Sequence, residues 1–290
     1  MLNILDQINQ WIKDFLISCI TGNLSGLFGD INIKVGEIAT ETGKTPQDWN
    51  STVFNMVKSL SESVIIPIAG IVITFVLTYE LISMITEKNN LHDFEISTLF
   101  KWIIKVFIAT YIVTHTFDIT MAIFEVSKNV VEQSGSFLTV SNTALDFDAV
   151  LGDLAAQLPT MEIGALFGLL LESILMKAML FALTIVIELV LMGRMIEIYV
   201  YCSIGAIPFA TMVNREWGQM GSNYLRGLVA LGLQGFFIMV CVAIYSVLIS
   251  TIGTADSIHA AMLSCMCYTV LLGYTLLKTG SISKSIFNAH

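Results

Sequence analysis

Residues 164–213 read GALFGLLLESILMKAMLFALTIVIELVLMGRMIEIYVYCSIGAIPFATMV. No soluble core holds an apolar run of that length, whereas about 20 apolar residues cross the hydrocarbon of a bilayer. Glu172, Lys177, Glu188, Arg194 and Glu197 interrupt the run. An ionisable side chain at mid-membrane costs on the order of 3 kcal/mol or more, so each requires a partner, a wet cavity or an interface. The block fits two ordinary spans. It equally fits one span followed by a re-entrant or interfacial stretch over 195–213, because Gly205-Ala206-Ile207-Pro208 breaks the second half.

Working outward, the composition agrees. The 290 residues are 55% apolar and 13% charged, with mean hydropathy +0.78. Soluble domains carry about 25% charge, so the deficit points to a membrane. The expected fold class is all-α: a polytopic helical membrane protein with five to six transmembrane helices and an amphipathic helical N-terminal region. Net charge is −9, which excludes a broad basic surface for gripping nucleic acid. Cys19, Cys202, Cys241, Cys265 and Cys267 form no spaced framework, and Cys265-x-Cys267 lacks further ligands. Asp6, Gln7, Asn9 and Gln10 interrupt the N-terminus, which therefore does not read as a cleavable signal.

Four regions follow: an amphipathic helical part (1–62), two spans (63–124), an acidic extracytoplasmic loop (125–163), and a span bundle with a short tail (164–290). In the first, Leu5, Ile8, Ile12, Phe15 and Cys19 make one helical stripe, ended by Thr21-Gly22-Asn23. Leu24, Phe28, Ile31, Val35 and Ile38 make a second, stopped by Gly43. Thr45-Pro46-Gln47-Asp48 opens a third helix with an N-cap, a proline at the first helical position and a capping acid. That helix runs into a span over 63–85, which Pro67 and Gly70 are placed to kink. The second span covers 100–124; Lys101 and Lys105 snorkel at one end, and His115 and Asp118 share a face deeper in. Phe147, Val150, Leu151, Leu154 and Leu158 suggest an amphipathic helix in the loop, and spans over 227–251 and 258–277 complete the chain.

Basic residues mark the cytoplasmic side. Connections 125–163 and 253–257 are poor in base; 86–105, 214–226 and the C-terminus are richer. These agree if 164–213 crosses once in net terms, which puts the N-terminus outside, the C-terminus in the cytoplasm, and five crossings between. The N-terminal lysines at 13, 34, 44 and 58 weigh against this arrangement. Six crossings remain the alternative.

The intramembrane charges admit three uses: glue between helices, the lining of an aqueous pathway or subunit seam, or a proton relay. Arg194 and Glu197 are three apart and can pair locally, whereas Glu172 and Lys177 point apart and need other partners. His115 and Asp118 fit a polar contact between spans; no second ligand pair accompanies them, so no metal or cofactor is expected. No serine, paired-aspartate or HExxH arrangement stands in a span, so no enzymatic activity is expected.

The most distinctive text is Asn214 to Arg226: Trp217, a polar turn, then Asn223-Tyr224-Leu225-Arg226 entering a span that carries Gln234. As plain chemistry it is an interfacial anchor. With Pro208 before it, its layout resembles the TrbL-type polytopic proteins of conjugative type IV secretion systems, in the version carried by Gram-positive mobile elements. The resemblance implies an oligomeric channel or scaffold subunit in the cell membrane. Its implied partners are the bilayer, copies of itself, other secretion subunits and, transiently, relaxase-bound single-stranded DNA. Pro208, Trp217, Asn223, Tyr224, Arg226 and Gln234 become candidate assembly residues; Glu172, Lys177, Glu188, Arg194, Glu197, His115 and Asp118 are candidate pathway-lining or inter-helix residues. The alternative is a secondary transporter with intramembrane charges, which the break at Pro208 fits and the missing internal repeat does not.

Overall fold

The computed structural model describes residues 2–86, 96–141, 152, 155–254 and 257–289. Among them every regular element is helical and none is a strand. In chain order they are α1 (Leu2–Thr42), α2 (Pro46–Trp49), α3 (Ser51–Leu60), a π-helical turn (Ser61–Ile65), α4 (Ile66–Thr86), α5 (Ile96–Thr114) and α6 (Thr116–Ser141). A 3₁₀ turn (Leu158–Thr160), α7 (Ile163–Ile204), α8 (Ala206–Thr211), α9 (Gly218–Ser250), a second 3₁₀ turn (Thr251–Thr254) and α10 (Ile258–Ile286) follow.

Four helical stretches are long and apolar enough to cross a membrane: Ser51–Thr86, Ile163–Ile204, Gly218–Ser250 and Ile258–Ile286. The bent pair Leu99–Thr114 and Thr116–Gly135 makes a fifth if it counts as one broken span. The chain is thus a multi-pass helical membrane protein.

Several boundaries differ from the sequence expectation. The two N-terminal stripes belong to one helix, α1, because Gly22 costs only about 1 kcal/mol in a helix and packing on either side outweighs it. Gly43 does end it. The block 164–213 holds one candidate span, where two were the alternative, and the expected interruption of the helix falls later than 195. Its helix continues to Ile204 and breaks only at Gly205. At 42 residues α7 is about 63 Å long, twice the hydrocarbon thickness. The helix after the bend runs to Ser141, so the stretch expected as a loop from 125 is helical that far. Phe147, Val150, Leu151 and Leu154, expected on an amphipathic helix, lie outside the described residues.

Two local irregularities have causes in the sequence. The π turn ends just ahead of Pro67, whose missing N–H and ring disturb the preceding turn. The second span is not straight: it bends by 69° at His115. There, Thr114 Oγ1 donates to the carbonyls of Thr110 (2.9 Å) and Tyr111 (3.0 Å). Thr116 Oγ1 donates to Ile112 and Val113 (both 2.9 Å). Hydroxyls bonded back to the preceding turn bend a helix.

The chain divides into two compact units. The first comprises 1–42, 131–191 and 236–279. Leu16, Ile20, Leu24, Leu27, Ile31 and Ile38 of α1 pack there with Leu166, Leu169, Met176 and Leu183 of α7, and with Tyr245, Cys265 and Leu272. Asn23 Nδ2 donates to Ser173 Oγ (2.9 Å), which gives the residue after Gly22 a tertiary role. The second unit comprises 43–130, 192–235 and 280–290. Its core joins Val57, Ile73, Ala109 and Phe117 to Ile198, Cys202, Phe209 and Leu228.

Candidate functional site

The polar groups inside the apolar helices are the chemistry of this chain, and most have partners far away in sequence. Arg194 is buried on α7, where Nε donates to the Leu231 carbonyl and an Nη to the Gly232 carbonyl, each at 3.3 Å. The expected local partner, Glu197, is engaged from elsewhere: Lys284 on α10 donates to it. In the first unit, His259 Nδ1 stands 2.9 and 3.0 Å from the two oxygens of Glu172. Lys177 is exposed, its ammonium 3.8 Å from where a Cβ on Gly26 would stand. Glu188 is exposed on α7.

His115 and Asp118 do not act as a pair. His115 stacks on Tyr111 with centroids 4.3 Å apart, and its Nδ1 lies 3.0 Å from the Tyr111 carbonyl. Asp118 instead faces Lys58 of α3, at 3.6 Å. The described residues contain no cluster of three or more His, Cys, Asp or Glu that would hold a metal ion.

A polar cluster lies around Glu80 near the end of α4. Lys105, expected to snorkel to water, donates to Glu80 Oε1 at 2.5 Å. Asn214 Nδ2 donates to Glu80 Oε2 at 2.8 Å. The other end of the same amide, Asn214 Oδ1, accepts from the backbone N–H of Glu216 (2.8 Å) and Trp217 (3.3 Å), as an Asx cap does. Trp217 then stacks on Phe75 and Tyr79, both at 5.4 Å, while Tyr79 Oη donates to Glu216 Oε2 at 3.2 Å. One turn between α8 and α9 is thereby fastened to α4 by two acids, an amide and three rings, and Lys105 of α5 joins through Glu80.

The break ahead of that turn is held as closely. Tyr224 on α9 donates to the Tyr201 carbonyl at 2.7 Å and stacks on the Tyr201 ring at 5.8 Å. A Cβ on Gly205 would stand 2.5 Å from Tyr224 Oη and 2.9 Å from Thr116 Cγ2, so only glycine fits. A Cβ on Gly221 would collide with Met212 and the Pro208 carbonyl. Pro208 is half-buried in α8, and its carbonyl accepts from Thr211 Oγ1 at 2.7 Å. Asn223 is half-buried and Arg226 exposed; Gln234 is buried against Gly280, with Nε2 3.3 Å from the site of a Cβ there. Of the proposed assembly residues, Pro208, Trp217 and Tyr224 therefore build this one junction, whereas Arg226 faces outward.

Sequence reasoning missed three ties. Tyr199 Oη donates to the carbonyls of Pro46 (2.5 Å) and Asn50 (3.2 Å), docking α2 on α7. Asp48, besides the expected bond from Thr45 Oγ1 (2.7 Å), accepts from Lys128 (3.2 Å), which no local spacing announced. Its carboxyl is held below its ordinary value, first by the Thr45 hydroxyl and then by Lys128. Ser283 Oγ donates to the Ala230 carbonyl at 2.5 Å.

The sequence model of one family, described as TrbL/VirB6 plasmid conjugal transfer like protein, matches residues 31–206, more than half the chain. The chain belongs to this TrbL/VirB6 family. Membership makes it a membrane-embedded component of conjugal transfer. The TrbL/VirB6 match takes in the end of α1, α2 to α6 and the whole of α7, with Arg194, Glu197 and the bend at His115. It stops before Trp217, so the stretch where the resemblance looks sharpest lies beyond it. No curated protein and no solved structure matches the chain.

Proposed function

We propose that this protein is a wall or scaffold subunit of a conjugative type IV secretion channel. In this role several copies surround a route by which relaxase-bound single-stranded DNA crosses the cell membrane. The family match over 31–206 carries this reading. Two features support it. Lys177 and Glu188 are exposed on a largely apolar helix, where lipid would penalise them and a wet passage or a neighbouring subunit would not. The net charge of −9 also suits passage without capture, since tight DNA binding draws on Lys and Arg. The protein contributes position and shelter, with no bond-making chemistry of its own. Its N-terminus lies outside and its C-terminus in the cytoplasm.

The experiment is deletion of the chain from a donor cell followed by complementation. Transfer of the mobile element should fall by at least a thousandfold and return with the wild-type chain. Ultraviolet cross-linking during transfer should join DNA to this subunit. Unchanged transfer in the deletion strain would remove the proposal. Arg226→Ala should keep the stability of the wild type within about 0.5 kcal/mol, as exposed substitutions do, yet lower transfer. Equal transfer would reduce Arg226 to an interfacial anchor.

A further inference from the structure

α1 carries an apolar face that its own unit leaves uncovered. Ile4, Ile8, Trp11 and Phe15 are 62%, 49%, 69% and 56% exposed. Trp11 and Phe15 stack on one another with centroids 6.0 Å apart. Their spacing alternates four, three and four residues, the a and d positions of a heptad. The register continues along the helix through Ser18, Gly22, Ser25, Gly29 and Gly36, all of them exposed. A Cβ at Gly22, Gly29 or Gly36 would meet nothing within 4 Å. The stripe that packs in the core, from Leu16 to Ile38, lies on another side of α1.

We propose that this face pairs with the same face of a second copy of the chain, in parallel and in register. Large side chains interdigitate over the first four turns, and small residues beyond them let the two backbones approach. Three considerations select this occupant. The period is 3.5 residues, which keeps a seam facing a partner helix; a membrane surface has no use for that regularity. The first turns carry Asp6, Lys13 and Asp14, so no positive excess draws them to an anionic lipid surface. A face about 60 Å long and about 10 Å wide buries roughly 600 Å² per copy, which reaches the lower bound of a stable pair when both sides are counted. The proposal deepens the oligomeric wall described above and rests on it for the presence of several copies.

The test uses the full-length chain in membranes, with Cys19, Cys202, Cys241, Cys265 and Cys267 replaced. Single cysteines are introduced by Ile8→Cys and Trp11→Cys on the seam, and by Gln10→Cys and Lys13→Cys on the polar side. Mild oxidation should give at least tenfold more disulfide-linked dimer from the first two than from the second two. Gly29→Leu, whose added side chain has open space within its own chain, should cut the Ile8→Cys dimer at least fivefold without lowering expression. Equal yields at all four positions, or none at any, would overturn the seam. So would cross-linking of Trp11→Cys to a different chain in place of dimer formation. Normal transfer with no dimer would sink the seam and spare the secretion role; a dimer with transfer intact in the deletion strain would sink the role and spare the seam.

Discussion

A guanidinium buried at Arg194 meets two backbone carbonyls of α9, oxygens that already serve that helix and have a second lone pair to offer. Such charge-assisted bonds are worth about 1.5–3 kcal/mol each before desolvation is subtracted. Arg194→Ala removes both and leaves a void. Thermal unfolding in detergent should show a loss of about 2–4 kcal/mol. Arg194→Met fills the space without the charge and should lie within about 1.5 kcal/mol of wild type, as apolar replacements of buried ionic groups often do. If Met proves as damaging as Ala, the cation itself is needed for the fold.

Asp48, outside the spans, titrates in the opposite sense to a buried acid. The Thr45 hydroxyl and Lys128 stabilise its carboxylate, so its folded value is lowered. A depressed acid contributes stability that is complete above its unfolded value and fades as pH falls through the folded one. Melting of wild type and Asp48→Asn from pH 7 to pH 3 should therefore give a constant gap in the neutral range that closes below the ordinary carboxylate range. A gap that widens on acidification would contradict the assignment.

At the element scale, the decisive structures are interruptions. The π turn before Pro67, the bend at His115 and the break at Gly205 each re-aim a helix that hydropathy alone would draw straight. Gly205 and Gly221 admit the chain's close return after α8, and Asn214 fastens the turn that follows. Gly221→Ala should cost about 1–3 kcal/mol by overpacking against Met212 and the Pro208 carbonyl. Asn214→Ala should cost about 1–2 kcal/mol through loss of the cap, and it also frees one oxygen of Glu80. Thermal midpoints of the two variants check both values, and an unchanged midpoint for Gly221→Ala would show that the loop yields.

Much of this was legible beforehand and some was not, for physical reasons. The spans were legible because a bilayer selects on length and hydropathy, which are local. The capping box at Thr45 to Asp48 was legible because its partners lie three residues apart. The bend was hidden, since Thr114 and Thr116 are tolerable helix residues until their hydroxyls turn back on the preceding turn. Charges in apolar runs announce that they need partners without saying which. Lys105 finds Glu80, His259 finds Glu172 and Lys284 finds Glu197, at separations that no spacing rule reaches. The local pair expected between Arg194 and Glu197 was attractive only because it was close in sequence.

At the scale of the whole molecule, sparse charges inside apolar helices are consistent with a bilayer only if other helices, neighbouring copies or water shelter them. The described partners do this for Glu80, Arg194 and Glu197, and the proposed oligomer does it for Lys177 and Glu188. The proposed topology then depends on α7 crossing once, which would put the junction around Glu80 and Asn214 on the cytoplasmic side. Side-specific labelling of Val140→Cys, Met220→Cys and Ser285→Cys in a cysteine-free chain measures this directly. An impermeant maleimide added to intact cells should modify position 140 alone, and positions 220 and 285 should react only after the membrane is opened. Labelling of 140 and 220 from the same side would mean that α7 does not cross once, and the account would fail.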